Sequence, residues 1–261
     1  MIQLTKIQWA NATINFWMGC SKVSPGCKFC YMHRIIDGDG KDPSIVRKVS
    51  ISTIAWKLRV LNEPALIFTC SMSDFFIEDA DKWRDWAWDI IRKHPQHQWQ
   101  ILTKRPERIL QCLPPDWGEG WDNVWLGVSI ENEDYFYRAE ILSKIPAKIR
   151  FISAEPLLDE LDLLQLKSGR RIIDDFHWVI IGGESGNDIG KYLYRECKVE
   201  WMMKIIADIK NHAPHVAVFN KQLGTHLAKQ MKLKDKHGGN WDQWPTELKV
   251  REFPKGIEYA G

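Results

Sequence analysis

Three of the six cysteines in this chain fall within eleven residues, at Cys20, Cys27 and Cys30, in a C-x6-C-x2-C spacing. Cys27 and Cys30 are close enough along the chain for both sulfurs to point at one centre. Ser24-Pro25-Gly26 offers a turn that brings Cys20 back to them, because Pro presets φ and Gly tolerates positive φ. Two inorganic centres suit such a trio. Zinc needs a fourth ligand, and His33 supplies one at C-x2-C-x2-H, giving a closed Cys3His structural site. Iron and sulfide need only thiolates, and a cubane on three cysteines leaves one iron open to an outside ligand. Reactive or incidental thiols are the third reading. Lys22 and Lys28 favour thiolates under every one of these readings and do not discriminate between them.

The bulk properties narrow the compartment more than the activity. The 36 basic and 34 acidic residues leave a formal charge of +2, with an isoelectric point near 8.1. That is too mild to announce a nucleic-acid binder by its field alone, although a local basic patch is compatible with it. Charged residues at 27% and hydrophobic ones at 44% are ordinary for a globular chain and argue against disorder. No apolar run reaches about 18 residues, and Met1-Ile2-Gln3-Leu4-Thr5-Lys6 lacks a signal-peptide layout, so a cytoplasmic protein with no membrane segment is expected. In a reducing compartment a tight cysteine cluster reads as a metal site rather than a disulfide framework. Cys70, Cys112 and Cys197 stand alone and are expected to be small buried hydrophobes. The 14 tryptophans suit core and cleft walls, with stacking on a base as the alternative use.

The elements that must carry the cysteines form a repeating pattern. Residues 1–13 are a lead-in. Thr13–Met18 is a β-prone run that delivers Cys20 from its C-terminal end. The cluster loop region spans 14–31, followed by a helix from about Tyr31, broken at Asp37-Gly38-Asp39-Gly40, and a second helix over Ser44–Leu61. Short apolar runs then alternate with helical periodicity. Strands are expected at Ala65–Thr69, Trp99–Leu102, Val124–Val128, Ile149–Ile152, Trp178–Ile181 and Val216–Phe219. Helices are expected at Asp79–Lys93, Pro106–Leu113, Glu133–Lys144 and Val199–Lys210. About 167–175 reads as an insertion and 225–261 as a C-terminal extension. Strand followed by helix about seven times predicts a single α/β domain over 1–261: a partial or complete, TIM-like (β/α) barrel with about six to seven parallel strands.

In such a barrel the residues just after each strand face one rim, where active sites are built. Those residues here are the cysteine loop, Ser71-Met72-Ser73-Asp74, Thr103-Lys104-Arg105, Ser129-Ile130-Glu131-Asn132, Ser153-Ala154-Glu155, Gly182-Gly183-Glu184-Ser185 and Asn220-Lys221-Gln222. Serines in these places also serve as helix caps. The charged groups Asp74, Lys104, Arg105, Glu131, Glu155, Glu184 and Lys221 are candidates for anion clamps, ribose or ammonium acceptors and proton carriers around one ligand. Gly183 suits a close backbone approach to it.

Taken in order, these segments resemble the phage- and prophage-associated three-cysteine-motif proteins, which are themselves similar to radical S-adenosylmethionine (SAM) enzymes. The resemblance rests on Gly19–Tyr31, Ser71–Asp74, Leu102–Arg108, Asn123–Asn132, Ser153–Leu157 and Gly182–Gly186. It also rests on Lys221–Gly224, Gly238–Asp242 and Val250–Pro254. It implies a radical-SAM-like barrel and a [4Fe–4S] cluster on Cys20, Cys27 and Cys30, with SAM chelating the open iron and being cleaved reductively to a 5′-deoxyadenosyl radical. It further implies Ser71, Ser73 and Asp74 near the SAM amino group, Lys104 or Arg105 at its carboxylate, Glu155 or Glu184 at ribose or ammonium, and Tyr31 beside the cluster, either under the adenine or packing the loop. A nucleic-acid base or nucleotide as substrate, a flavodoxin or ferredoxin as reductant, and a dedicated partner protein are expectations of the same kind. An electron-transfer module without SAM turnover and a zinc-stapled binding protein are the competing readings. The chain departs from the radical-SAM C-x3-C-x2-C spacing by a first loop three residues longer. It also carries Ile14-Asn15-Phe16-Trp17-Met18-Gly19 where the family has Trp-Asn-Pro-Val-Thr-Gly, keeping Asn15 and Gly19.

Overall fold

A computed structural model describes residues 4–256 apart from Asn62 and Ser168. The ends of the expected lead-in and C-terminal extension, and one residue of the expected insertion, therefore lie outside the described residues. Seven strands form one sheet: β1 (Ala12–Ile14), β2 (Leu66–Thr69), β3 (Gln98–Thr103), β4 (Val124–Ser129), β5 (Ile149–Ala154), β6 (Trp178–Gly182) and β7 (Ala217–Gln222). They are hydrogen-bonded in that order, and every pair is parallel. The sheet curls into a half-barrel that does not close, since β1 and β7 are its two edges.

The helices that return the chain are α1 (Tyr31–Gly38), α2 (Ile51–Val60), α3 (Asp81–Arg92), α4 (Ile109–Cys112), α5 (Tyr137–Leu142), α6 (Val199–His212) and α7 (Gly224–Gln230). Alternation along the strands sorts their side chains onto two faces. Ile67, Ile101, Leu126, Val128, Ile152, Val179 and Val218 share one apolar cluster with the helical residues Ile54, Ala87, Trp88, Ala139, Leu142 and Met202. The opposite, concave face is aromatic: Trp9, Phe68, Trp125, Phe151, Trp178 and Phe219 form a second cluster. Trp178 is its hub, with the rings of Trp9, Trp125, Phe151 and Phe219 all within 6 Å of it. Towards the strand C-termini this face changes to Ser129, Ser153 and Gly182. Small groups replace rings there, and the space they leave opens upward as a cavity. Cys70 and Cys197 are buried in the helix-facing core as expected, while Cys112 is half-buried.

Three differences from the sequence reading have physical causes. The stretch read as one strand, Thr13–Met18, is divided: β1 joins the main sheet, whereas Trp17–Met18 pairs antiparallel with Arg47–Lys48. That pairing takes Arg47 and Lys48 out of the helix expected from Ser44, which begins instead at Ile51 behind a Ser50 cap accepting from Thr53 N at 3.3 Å. At the other end Asn220, Lys221 and Gln222 belong to β7 itself. The antiparallel bridge Phe219–Arg251 and the bonds Asn220 N to Val250 O, 2.8 Å, and Glu252 N to Val218 O, 2.9 Å, give its edge a partner. The residues expected as an insertion form a small hairpin, Leu166–Lys167 with Arg170–Arg171, and a 3-10 turn over Ile172–Asp175.

Candidate functional site

The cysteine loop is fastened to the rim before it reaches Cys20. Gly19 has φ of +100°, and a Cβ there would stand 2.2 Å from Ile45 O, so only glycine fits. Its N–H donates to Met72 O at 3.0 Å and its carbonyl accepts from Ser73 Oγ at 2.5 Å. Asn15 Oδ1 receives Met72 N at 2.9 Å and Ser71 Oγ at 3.3 Å. Asn15 and Gly19 thus lock the β2 tip to the start of the loop. The chain turns through a short 3-10 segment, Pro25–Cys27, and Cys30 stands at the N-terminus of α1.

Cys20, Cys27 and Cys30 all line one cavity of about 540 Å³ at the C-terminal ends of the strands. Tyr31, Ser71, Ser73, Asp74, Lys104, Arg105, Glu155, Gly183, Glu184 and Lys221 line it too. Ten of the eleven residues nominated for cofactor binding therefore come to one place. The exception is Glu131. It is fully buried beneath the loop rather than on the cavity wall, accepting from Ser24 Oγ at 2.6 Å and pairing with Lys104 Nζ at 3.1 Å and Arg138 at 2.9 Å. Burial pushes the Glu131 carboxyl up, but Lys104, Arg138 and the Ser24 hydroxyl outweigh it and hold the group below the ordinary carboxylate range.

Polar groups stand close to each of the three sulfurs. The Arg105 guanidinium donates to Cys20 Sγ at 3.6 Å, while Ser24 Oγ, whose own proton goes to Glu131, lies 3.6 Å from Cys27 Sγ and accepts from that thiol. The backbone N–H groups of Met32 and His33, at the start of α1, bear on Cys30. Burial nevertheless pushes the Cys20 thiol up to about 12, with Asp74 adding to the rise and Arg105 opposing it. Cys30 is raised by burial in the same way, against the Met32 amide. Metal that takes these sulfurs must displace their protons, which couples binding to pH.

The donor set is not gathered around a single metal ion. A single zinc needs its ligands about 2.0–2.3 Å from one point. Among the described residues no three His, Cys, Asp or Glu side chains converge so closely. His33 is buried on α1 and also lines the cavity, but it completes no such group. The three thiols instead lie along one cavity wall, and an inorganic cluster placed there would feel hydrogen bonds such as that from Arg105 to Cys20 Sγ.

The rest of the rim consists of charges already in pairs. Asp74 accepts from Phe76 N at 2.9 Å, Thr103 Oγ1 at 2.7 Å, Lys104 N at 2.9 Å and Arg105 at 3.2 Å. These four donors fill a carboxylate, so Asp74 joins the β2 and β3 tips and presents no open acceptor for an ammonium. The terminal N–H groups of Arg105 are filled likewise: beyond Cys20 and Asp74 they donate to Ser21 O at 2.9 Å and Ser21 Oγ at 2.8 Å. Lys104 and Glu155 are more available. Lys104 Nζ stands between Glu131 and the Glu155 carbonyl, and Glu155 has one oxygen on Lys221, 2.9 Å, and the other on Ser153, 3.0 Å. Glu184 is clasped by the Arg195 side chain and backbone N–H, and Arg195 lies over the Phe29 ring at 5.3 Å. The Tyr31 hydroxyl donates to Ser71 O at 2.5 Å. Gly183 makes a close approach, but to protein: a Cβ there would stand 2.2 Å from Leu223 O.

Sequence reasoning passed over Ser24, Arg138 and Arg195. Ser24 was read only as part of a turn, and its hydroxyl donates to Glu131, far along the chain, so nothing local points to that role. Arg138 and Arg195 carry no local signal, since their partners lie in the β4 and β6 tips. The turn assigned to Gly26 also has another cause. Its φ is not positive; instead a Cβ would stand 2.4 Å from Glu131 Oε1.

A family profile described as "Protein of unknown function (DUF5131)" matches residues 4–247. No curated protein and no solved structure matches the chain. Among the described residues no helix is long and apolar enough to cross a membrane.

Proposed function

We propose, from the premise that the chain belongs to the DUF5131 family, that it is an iron–sulfur enzyme of the radical-SAM type, akin to the phage-associated three-cysteine-motif proteins. The observation that carries this reading is the set of three cysteine sulfurs on one cavity wall, with the Arg105 guanidinium bonded to Cys20, at the C-terminal rim of a parallel half-barrel. That rim is where (β/α) barrels build their sites, and a cavity of about 540 Å³ falls within the 300–1,000 Å³ range of small-molecule pockets.

Cys20, Cys27 and Cys30 would hold a [4Fe–4S] cluster. Such a cluster, when bound, supplies one electron for reductive cleavage of the SAM sulfonium to a 5′-deoxyadenosyl radical. The chain's own residues hold and shield that chemistry. Lys104 is the cation best placed for the SAM carboxylate, because Arg105 has already committed its terminal N–H groups. Glu155 retains acceptor capacity for an ammonium or ribose hydroxyl, with Lys221 and Ser153 fixing its orientation. The Tyr31 ring, anchored through its hydroxyl to Ser71 O, offers a face to adenine. Trp9, Phe29 and Phe68 add apolar wall. The same mixture of rings and cations suits a nucleic-acid base or nucleotide as the second substrate, with a flavodoxin or ferredoxin as electron source in the cytoplasm.

Anaerobic reconstitution tests the reading. About four irons and four sulfides per chain, a brown protein with broad visible absorption, and 5′-deoxyadenosine formed from SAM under dithionite are expected. Cluster without 5′-deoxyadenosine would leave an electron-transfer module, and one zinc per chain without iron would overturn the proposal.

A further inference from the structure

We infer that the buried Arg105–Asp74 pair is a charge device that sets the reduction potential of the cluster, with Arg105 raising it and Asp74 lowering it. The inference rests on the reading of Cys20 as a cluster ligand. Arg105 is 6% exposed and Asp74 5%, so both charges act through protein rather than water. The guanidinium is aimed by four bonds. One goes to Cys20 Sγ at 3.6 Å, one to Asp74 Oδ2 at 3.2 Å, and two to the carbonyl and hydroxyl of Ser21. This fork leaves one cation fixed against a single ligand sulfur. Asp74 in turn is held by Phe76 N, Thr103 Oγ1 and Lys104 N, so it cannot move with the arginine.

Hydrogen bonds and charge at the ligand sulfurs are established determinants of cluster potential. Reduction adds one electron, drawn in the cell from the flavodoxin or ferredoxin and in the assay from dithionite. A cation bonded to the sulfur favours that electron, and an anion behind it opposes it. A scaffold that merely held the loop would give both substitutions the same outcome, looser cysteines and a poorer cluster. A charge device gives them opposite signs.

The test is a redox titration of the reconstituted full chain, followed by the electron paramagnetic resonance of the reduced cluster. Arg105→Gln is expected to lower the potential, shifting the reduction equilibrium at least tenfold, about 59 mV for one electron. Asp74→Asn is expected to raise it, and Arg105→Lys, which keeps charge but loses the fork, to fall between wild type and Arg105→Gln. Unchanged potentials, or shifts of one sign in Arg105→Gln and Asp74→Asn, would overturn the inference. If Arg105→Gln does not retain its cluster, Asp74→Asn decides alone by the direction of its shift, and loss of the cluster from both makes the pair a scaffold and overturns the inference. The wild type separates the two levels. Without a cluster in wild type the functional reading falls, whereas a wild type that binds iron and cleaves SAM alongside unshifted variants removes only the role of the pair.

Discussion

Gly26→Ala should loosen the cysteine loop without touching a cysteine. The new Cβ would stand 2.4 Å from Glu131 Oε1, 2.5 Å from its Cγ and 2.8 Å from its Cδ, about 1 Å inside the ~3.5 Å optimum for non-bonded atoms. Glu131 has nowhere to go, since it is fully buried and its oxygens are held by Ser24, Lys104 and Arg138. Overpacking of this kind costs about 1–3 kcal/mol. If the carboxylate yields instead and leaves Arg138 unpaired, the cost approaches about 3–5 kcal/mol. An intermediate loss of about 2–4 kcal/mol lowers the melting midpoint of a chain of this size by about 5–15 °C. Scanning calorimetry of the metal-free protein measures it, with Gly38→Ala as the control. Gly38 lies in α1 with nothing within 4 Å of a Cβ, and alanine there should be neutral or stabilising by up to about 1 kcal/mol. A Gly26→Ala protein that melts with the wild type would refute the claim that Glu131 pins the loop.

Cys30→Ala should abolish iron retention after reconstitution while His33→Ala keeps it, and colorimetric iron analysis reading the reverse would reassign the ligands. Trp178→Ala removes the hub of the concave aromatic cluster and its bond from Nε1 to Glu252 O at 2.8 Å, so chemical denaturation should show a loss of about 3–5 kcal/mol. His97 is fully buried with Nδ1 unpartnered, and burial, with a smaller push from His94, lowers it from 6.5 to about 4. A folded value below the unfolded one means that the unfolded chain binds the extra proton between those limits. Its contribution is therefore complete above about pH 6.5 and is lost as pH falls towards about 4. His97→Gln should flatten that part of the stability profile, and an unchanged slope in denaturant titrations across that range would contradict it.

The sheet was legible because buried parallel strands are short apolar runs with helical periodicity between them, as in Leu66–Thr69 and Val124–Ser129. The rim was legible for the same reason: once the strands are placed, the residues after them are determined, and ten of eleven nominated side chains reach one cavity. What local pattern does not carry is which rim groups satisfy one another. Asp74 and Arg105 were correctly located yet were assigned to a ligand, whereas each spends its valences on the other and on neighbouring loops. Ser44–Lys48 reads as helix in isolation, yet Arg47–Lys48 becomes strand because Trp17–Met18 needs a partner. Gly26 answers to Glu131, far along the chain, so its cause could not be found in the turn that contains it.

The order of the sheet has a consequence for synthesis. Each strand lies beside the one made just before it, so the half-barrel can be laid down in the direction of translation, without waiting for a distant strand to intercalate. The C-terminal segment then reaches back onto finished strands: Phe253 packs within 5.4 Å of both Trp178 and Phe219, and Arg251 bridges the β7 border. A nascent chain halted before these residues would carry an oily basin and an unpaired margin, and would be a natural client for chaperones until its final segment emerged.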